Sequence, residues 1–254
     1  MTTIGVLHPG EMGAAIGARL RERGHDVVWA GEGRSPATAE RAARAGLRDA
    51  GSVASLAAAA GLVLSVCPPH AALDVARAAA ISGGLFVDAN AVSPAKTLAI
   101  RDVVEGAGGR FVDGGIVGPP PERDGTTRLF LSGPEVETVA AAFAGTGVEA
   151  VVLGPEPGAA SAVKMAYAAW TKGTAAMLLA IRATARANGV EDALLAEWAR
   201  SQPDATGRSE AAAGAAAAKG WRWIAEMEEI AATFAAAGQP DGFHRAAAEV
   251  YRSQ

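Results

Sequence analysis

From Ile4 to about Leu153, short runs rich in β-branched and apolar residues alternate with stretches whose apolar positions recur at helical spacing. That alternation predicts an α/β fold with a mostly parallel sheet and helices on its faces. The predicted strands are Ile4 to Leu7, Asp26 to Ala30, Leu62 to Val66, Leu85 to Asp88, Arg110 to Asp113, Arg128 to Ser132 and Ala150 to Leu153, with a weaker one near Leu47. Ser35-Pro36 and Ser93-Pro94 mark helix starts, because serine caps orphan N–H groups and proline at the first helical position loses nothing. After Gly154-Pro155-Glu156-Pro157-Gly158 the strand signals stop. The remainder is Ala-rich with Leu, Ile and Trp at helical spacing, which predicts a smaller all-α domain over 157–254 behind a sheet domain over 1–156. Ala160 to Ala187 reads as one helix of roughly 40 Å. The run Ala211 to Ala218 reads as helix, alanine being the best helix former, and Pro203 to Ser209 as a loop.

Composition narrows the function. A 254-residue chain with 50% hydrophobic residues can bury a sizeable core, and a formal charge of −4 offers no basic field for nucleic acid or an anionic membrane. Cys67 is the only cysteine, which excludes an intrachain disulfide and a multi-cysteine zinc site. No second histidine stands at ligand spacing from His244, a helix-start residue, so no metal is expected. Met1-Thr2-Thr3 runs straight into an apolar strand without a basic n-region or cleavage site, and Ala57 to Cys67 is too short to span a bilayer. A cytoplasmic protein acting on a small molecule is the expectation.

The first strand leads through His8-Pro9-Gly10-Glu11-Met12-Gly13 into the helical run Ala14 to Arg23. A strand, glycine turn and helix in that order form a cradle for a dinucleotide diphosphate, with backbone amides and the helix N-terminus facing the anion. Gly10 and Gly13 take the second and third positions of G-x-G-x-x-G, while His8 replaces the first, so an ordinary tight turn is the competing reading. About twenty residues on, where ribose preference is set, stands Glu32-Gly33-Arg34-Ser35. Arg34 and Ser35 suit the 2′-phosphate of NADP. The alternative is that Ser35 only caps a helix, Arg34 is a solvated charge, and Glu32 binds the ribose of NAD.

Taken together the motifs resemble the β-hydroxyacid dehydrogenase superfamily, which includes 3-hydroxyisobutyrate dehydrogenase and the 6-phosphogluconate dehydrogenases. The resemblance runs through Gly10-Glu11-Met12-Gly13, Val66-Cys67-Pro68-Pro69, Val87-Asp88-Ala89-Asn90, Asp113 to Gly118 and Gly158 to Lys164, and the Trp221 to Tyr251 tail resembles an uncharacterised branch with a short C-terminal domain. It implies a Rossmann-type domain that binds the cofactor through His8 to Gly13, Arg34, Ser35, Cys67, Pro68 and Asn90. It also implies Lys164 as proton donor or acceptor, with Tyr167 close by as a second donor. Substrate contacts are implied at Asn90, Val117, Gly118 and Lys164, with Lys172 either reaching the cleft closed by the second domain or pairing with an acid outside it. Asn90 could instead cap its turn, and Lys164 could be a surface lysine.

Several positions depart from the family. Ala168 replaces an asparagine that orients the lysine, Val117-Gly118-Pro119 replaces a serine-glycine-glycine carboxylate clamp, and Glu226 stands in place of a lysine. Glu226, beside Glu228 and Glu229, reads as a solvated helix charge. These changes argue against a small 3-hydroxyacid. An NADPH-dependent imine reductase is therefore the rival reading, and a non-catalytic NADP-binding sensor the second rival. Trp170, Trp198, Trp221 and Trp223 read as core or subunit interface. The resemblance further implies a homodimer formed through the helical domain.

Overall fold

The structure is a computed structural model and describes residues 2–79 and 82–253. Tight packing divides the chain into two units, Met1–Lys164 and Met165–Gln254. The first holds β1 (Thr3–Leu7), α1 (Glu11–Glu22), β2 (Asp26–Trp29), α2 (Pro36–Arg44), β3 (Arg48–Asp49), α3 (Val53–Ala59), β4 (Leu62–Ser65), α4 (Ala72–Ala79), β5 (Leu85–Asp88), α5 (Pro94–Gly106), β6 (Arg110–Val117), β7 (Thr127–Ser132), α6 (Val136–Phe143) and β8 (Val148–Gly154). α7 (Ala159–Ala168) begins in this unit and ends in the next. The eight strands form one sheet in the order β3-β2-β1-β4-β5-β6-β7-β8, parallel throughout except where β7 runs against β6.

Period-two alternation explains how the sheet is covered. On one face Val6, Leu62 and Leu64 pack with Ile16 and Leu20 of α1 and Phe143 of α6. On the other, Val63 and Phe86 pack with Leu56 of α3, Ala76 of α4 and Ile100 of α5. Both faces are apolar, so the strands read as nearly continuous hydrophobic runs. The two Ser-Pro starts are realised: Ser35 Oγ accepts from the Thr38 amide at 3.3 Å, and Ser93 Oγ from the Lys96 amide at 3.4 Å.

β6 outlasts its predicted end at Asp113 and continues to Val117, paired with β7 from Asp113↔Ser132 to Val117↔Arg128. Gly114-Gly115 reads locally as a strand breaker, but a side chain at Gly115 would meet the Ala160 carbonyl at 2.6 Å and Lys164 Cβ at 3.1 Å. The glycine therefore admits α7 onto the strand instead of ending it.

The second unit continues through a single π-helical turn, Ala169–Gly173, into α8 (Thr174–Ala187), α9 (Glu191–Ser201), α10 (Ala205–Ala236) and α11 (Gly242–Arg252). Two expectations are corrected here. The helix expected over 160–187 is interrupted by the π turn, where the Lys172 carbonyl accepts from the Tyr251 hydroxyl at 2.6 Å. The loop expected over Pro203 to Ser209 shrinks to the residues before Ala205. Ser209 is buried, accepts from Arg182 Nη1 at 2.8 Å and donates to the Thr206 carbonyl at 2.7 Å, so tertiary contacts override the weak local helix preference of Thr206-Gly207. Among the described residues no helix is long and apolar enough to cross a membrane.

Candidate active site

The turn between β1 and α1 is built by three residues with separate tasks. His8 takes a left-handed backbone, φ 68°, where the usual fingerprint has glycine. Gly13 lies against it: a Cβ there would stand 2.8 Å from the His8 carbonyl and 3.4 Å from Val6 Cγ1, so its bareness lets helix and strand close up. Gly10, the N-cap of α1, is different, for a Cβ there would meet no protein atom within 4 Å. Its exposure leaves an open approach to the helix N-terminus, which suits a diphosphate. Pro9 is buried, and its carbonyl accepts from Arg41 Nη1 at 3.3 Å. Met12 is half-buried and packs in part against the core.

Beside this turn a pocket of about 210 Å³ is lined by Leu7, His8, Arg34, Val53, Ala71 and Val75, among others. Arg34 and Asp49 frame the β2 end: the Asp49 carboxylate accepts from the amides of Gly31 at 3.0 Å and Gly51 at 2.8 Å. Ser35 serves as a helix cap, and its Oγ also lies 3.1 Å from Thr38 Oγ1. Glu32 is exposed.

At the ends of β4 and β5, Asn90 is 2% exposed and fully engaged. Its Oδ1 accepts from the Cys67 amide at 2.5 Å, while Nδ2 donates to Ser65 Oγ at 3.0 Å and to Asp88 Oδ1. Cys67 thus contributes its backbone. Burial first, then the Asp88 carboxyl, pushes its thiol up to about 12, which removes it as a nucleophile. Pro68 is exposed at the start of the following 3₁₀ turn. One strand over, the Asp113 carboxylate accepts from Ser132 Oγ at 2.8 Å, the amides of Gly158 at 2.9 Å and Ser161 at 3.0 Å, and Ser161 Oγ at 2.6 Å. Ser132 Oγ accepts in turn from the Ala160 amide at 3.0 Å, and Thr97 Oγ1 lies 2.7 Å from Ser161 Oγ. An acid thus caps α7 from a different strand, opposing the positive end of the helix dipole. This clamp fixes the helix that carries Lys164, whose Cβ lies over Gly115 of β6. It also explains why the first unit extends to Lys164 and not only to residue 156.

A sheet in this strand order, with a glycine turn after β1 and open space at Gly10, is matched over residues 3–154 by the model of the NAD binding domain of 6-phosphogluconate dehydrogenase. The chain belongs to that family. This 6-phosphogluconate-dehydrogenase-type domain is followed, over residues 185–254, by a match to the domain of unknown function DUF1932. Among solved structures, conserved protein MTH1747, described as of unknown function and structurally similar to 3-hydroxyacid dehydrogenases, is 28% identical with a TM-score of 0.71, covering 99% of this chain and 96% of that one. The 3-hydroxyisobutyrate dehydrogenase (ygbJ) from Salmonella typhimurium shares the fold at 15% identity and TM-score 0.76, covering 100% of this chain and 94% of its own. A reductive aminase from Aspergillus terreus, in complex with NADPH and ethyl-5-oxohexanoate, does so at 19% identity and TM-score 0.64, covering 100% and 93%.

The remaining sequence-derived positions of this family member divide sharply. Val117 is buried at the end of β6 and so offers a ligand only backbone. Gly118 is required by the turn itself, with φ 119° and a would-be side chain overlapping the Thr126 carbonyl. Tyr167 follows Lys164 by one turn of α7 and is exposed. Lys172 is ion-paired with Glu226 and lies 6.0 Å from the Trp223 ring centre, so of its two readings the pairing with an acid is realised. Glu226 is 7% exposed, which corrects its reading as a solvated charge: burial is tolerated because Lys172 balances it. His244 sits in the first turn of α11, buried edge-on against Phe234. Trp170 and Trp221 are exposed and lie outside the core. Missed at the sequence level were Asp88, Asp113, Ser132 and Ser161, which touch one another only through the fold.

Proposed function

We propose that this protein is an NADP-dependent oxidoreductase that moves a hydride between the nicotinamide and the carbon of a C=O or CH–OH group in a small polar substrate. The reading is carried by one combination within the sheet unit: Asn90 is locked at the end of β5, the Asp113 clamp holds Lys164 over β6, and the turn after β1 has a Gly10 with no protein neighbour to explain it. The cofactor, when bound, supplies or accepts the hydride. Lys164 gives a proton to the substrate oxygen in reduction and takes it back in oxidation. Tyr167, exposed one turn later, is available as a second donor. Asn90 has spent its side-chain groups on Cys67, Ser65 and Asp88, so it positions the β5 end more than it grips substrate. Arg34 meets the 2′-phosphate, with Ser35 starting the helix behind it.

Two measurements test this. Nicotinamide fluorescence should show NADPH binding in preference to NADH. Lys164→Ala should then lower kcat about a hundredfold or more, the usual scale for a positioned acid or base, with NADPH affinity within about twofold of wild type. Unchanged turnover would remove the lysine from the chemistry.

A second reading, reduction of C=N, is favoured by the loss of carboxylate donors at Val117 and Gly118 and by the shared fold of the reductive aminase. Lys164 speaks against it, because an imine needs no ammonium facing a developing alkoxide. A panel of ketones and cyclic imines with NADPH separates the two. The exposed Trp170, Trp221 and Phe243 of the helical unit support a homodimer, which light scattering would reveal.

A further inference from the structure

His8 is a costlier choice than glycine for this turn and a good one for a ligand. It is the only non-glycine residue with positive φ among the described residues, a conformation disfavoured for any residue bearing a Cβ. Among the described residues the enclosed Nδ1 of His8 has no hydrogen-bond partner, and the Leu7 backbone beside the ring offsets its burial only in part. Its ring lines the same pocket as Arg34, whose Nε is likewise enclosed without a partner. No carboxylate pairs with that guanidinium among the described residues, although Asp74, also on the pocket wall, is paired with Arg77 at 2.9 Å. Two nitrogen-bearing groups of like charge tendency therefore face one space whose single lining carboxylate, Asp74, is engaged by Arg77. Burial, reinforced by Arg34, pushes the imidazole down to about 4, which is the response expected of a cationic site lacking its anion. The rest of the wall, Leu7, Val53, Ala71, Val75 and Ala78, is apolar, as an adenine ring requires.

We propose that His8 is a specificity-determining residue that, with Arg34, grips the 2′-phosphate of the adenosine half of NADP, so that the strained histidine replaces glycine for the sake of that phosphate. The inference rests on the cofactor reading above, and the test keeps the two apart. Calorimetric titration of the full chain with 2′,5′-ADP and with 5′-ADP isolates the 2′-phosphate. Wild type should prefer 2′,5′-ADP. Both His8→Gly, which relaxes the backbone, and His8→Asn, which tolerates a left-handed φ but cannot become cationic, should reduce that preference about tenfold, the scale of one charge-assisted hydrogen bond. The melting temperature of His8→Gly should be unchanged or higher. If wild type prefers 2′,5′-ADP and both variants keep the full preference, His8 has no such role and the cofactor reading survives. Equal affinity of wild type for both ligands overturns the NADP preference and the His8 role together, and binding of neither overturns the dinucleotide site itself.

Discussion

Among the described residues no cation stands beside Asp88. Enclosure away from water, followed by the charge of Asp113, raises its carboxyl from the ordinary range to about 8, and among the described residues its Oδ2 has no hydrogen-bond partner. At neutral pH the acid is largely protonated. The folded-state value lies above the unfolded one, so between about pH 4 and 8 the folded chain holds a proton that the unfolded chain has released, and stability falls as pH rises through that window. The slope attributable to one such group cannot exceed about 1.4 kcal/mol per pH unit. Asp88→Asn keeps the shape and removes the titration. Its urea midpoint should therefore decline less than that of wild type between pH 5 and 8, and parallel profiles for the two proteins would show that Asp88 ionises freely in the fold.

At the scale of elements, the β1–α1 turn separates folding from binding within four residues. Gly10→Ala places a methyl where no protein atom lies within 4 Å and keeps an extended backbone at φ −66°, so melting should shift little. NADPH affinity should nonetheless fall at least tenfold, because the methyl occupies the approach to the diphosphate. Gly13→Ala drives a methyl to 2.8 Å from the His8 carbonyl, and overpacking of that kind costs about 1–3 kcal/mol in addition to the lost affinity. A Gly10→Ala variant that binds NADPH like wild type would refute the cradle. These elements were legible in the sequence because each is local: the strands announced themselves by β-branched runs, and the Ser-Pro starts by a cap and a ring. The extension of β6 past Asp113 was not legible because the use of Gly115, the approach of α7, lies some 45 residues away, as Gly115 against Ala160 shows. The Asp113 clamp was invisible for the same reason, since its donors at Gly158 and Ser161 are 45 and 48 positions distant. Lys164 was found only through a family pattern. Glu226 was misjudged because two neighbouring glutamates suggested solvent, whereas its partner Lys172 lies on a different helical segment.

Across the whole molecule, apolar burial is uneven. The first unit buries Ile, Leu, Val and Phe on both faces of the sheet, whereas the buried apolar positions of the second are mostly alanines, with Met165, Met227, Ile230 and Tyr251 as the larger ones. At about 25 cal/mol per Å² of apolar surface, alanine contributes far less than leucine or phenylalanine, so the helical unit has little apolar burial with which to absorb a broken Lys172–Glu226 pair. Removing one partner leaves the other charge uncompensated in the interior. Glu226→Ala should thus destabilise the helical unit by about 3 kcal/mol, at the lower end for a broken buried pair because Lys172 retains some access to water. Four of the five tryptophans, at positions 170, 198, 221 and 223, belong to this unit and report on it selectively. In urea, tryptophan fluorescence of Glu226→Ala should change at lower denaturant than in wild type. Hydrogen exchange across β1, β4 and β5 should keep its wild-type midpoint, and NADPH should raise that second midpoint through binding to the first unit alone. If fluorescence and exchange shift together in the variant, the two units unfold as one and the alanine-rich helices draw their stability from the sheet.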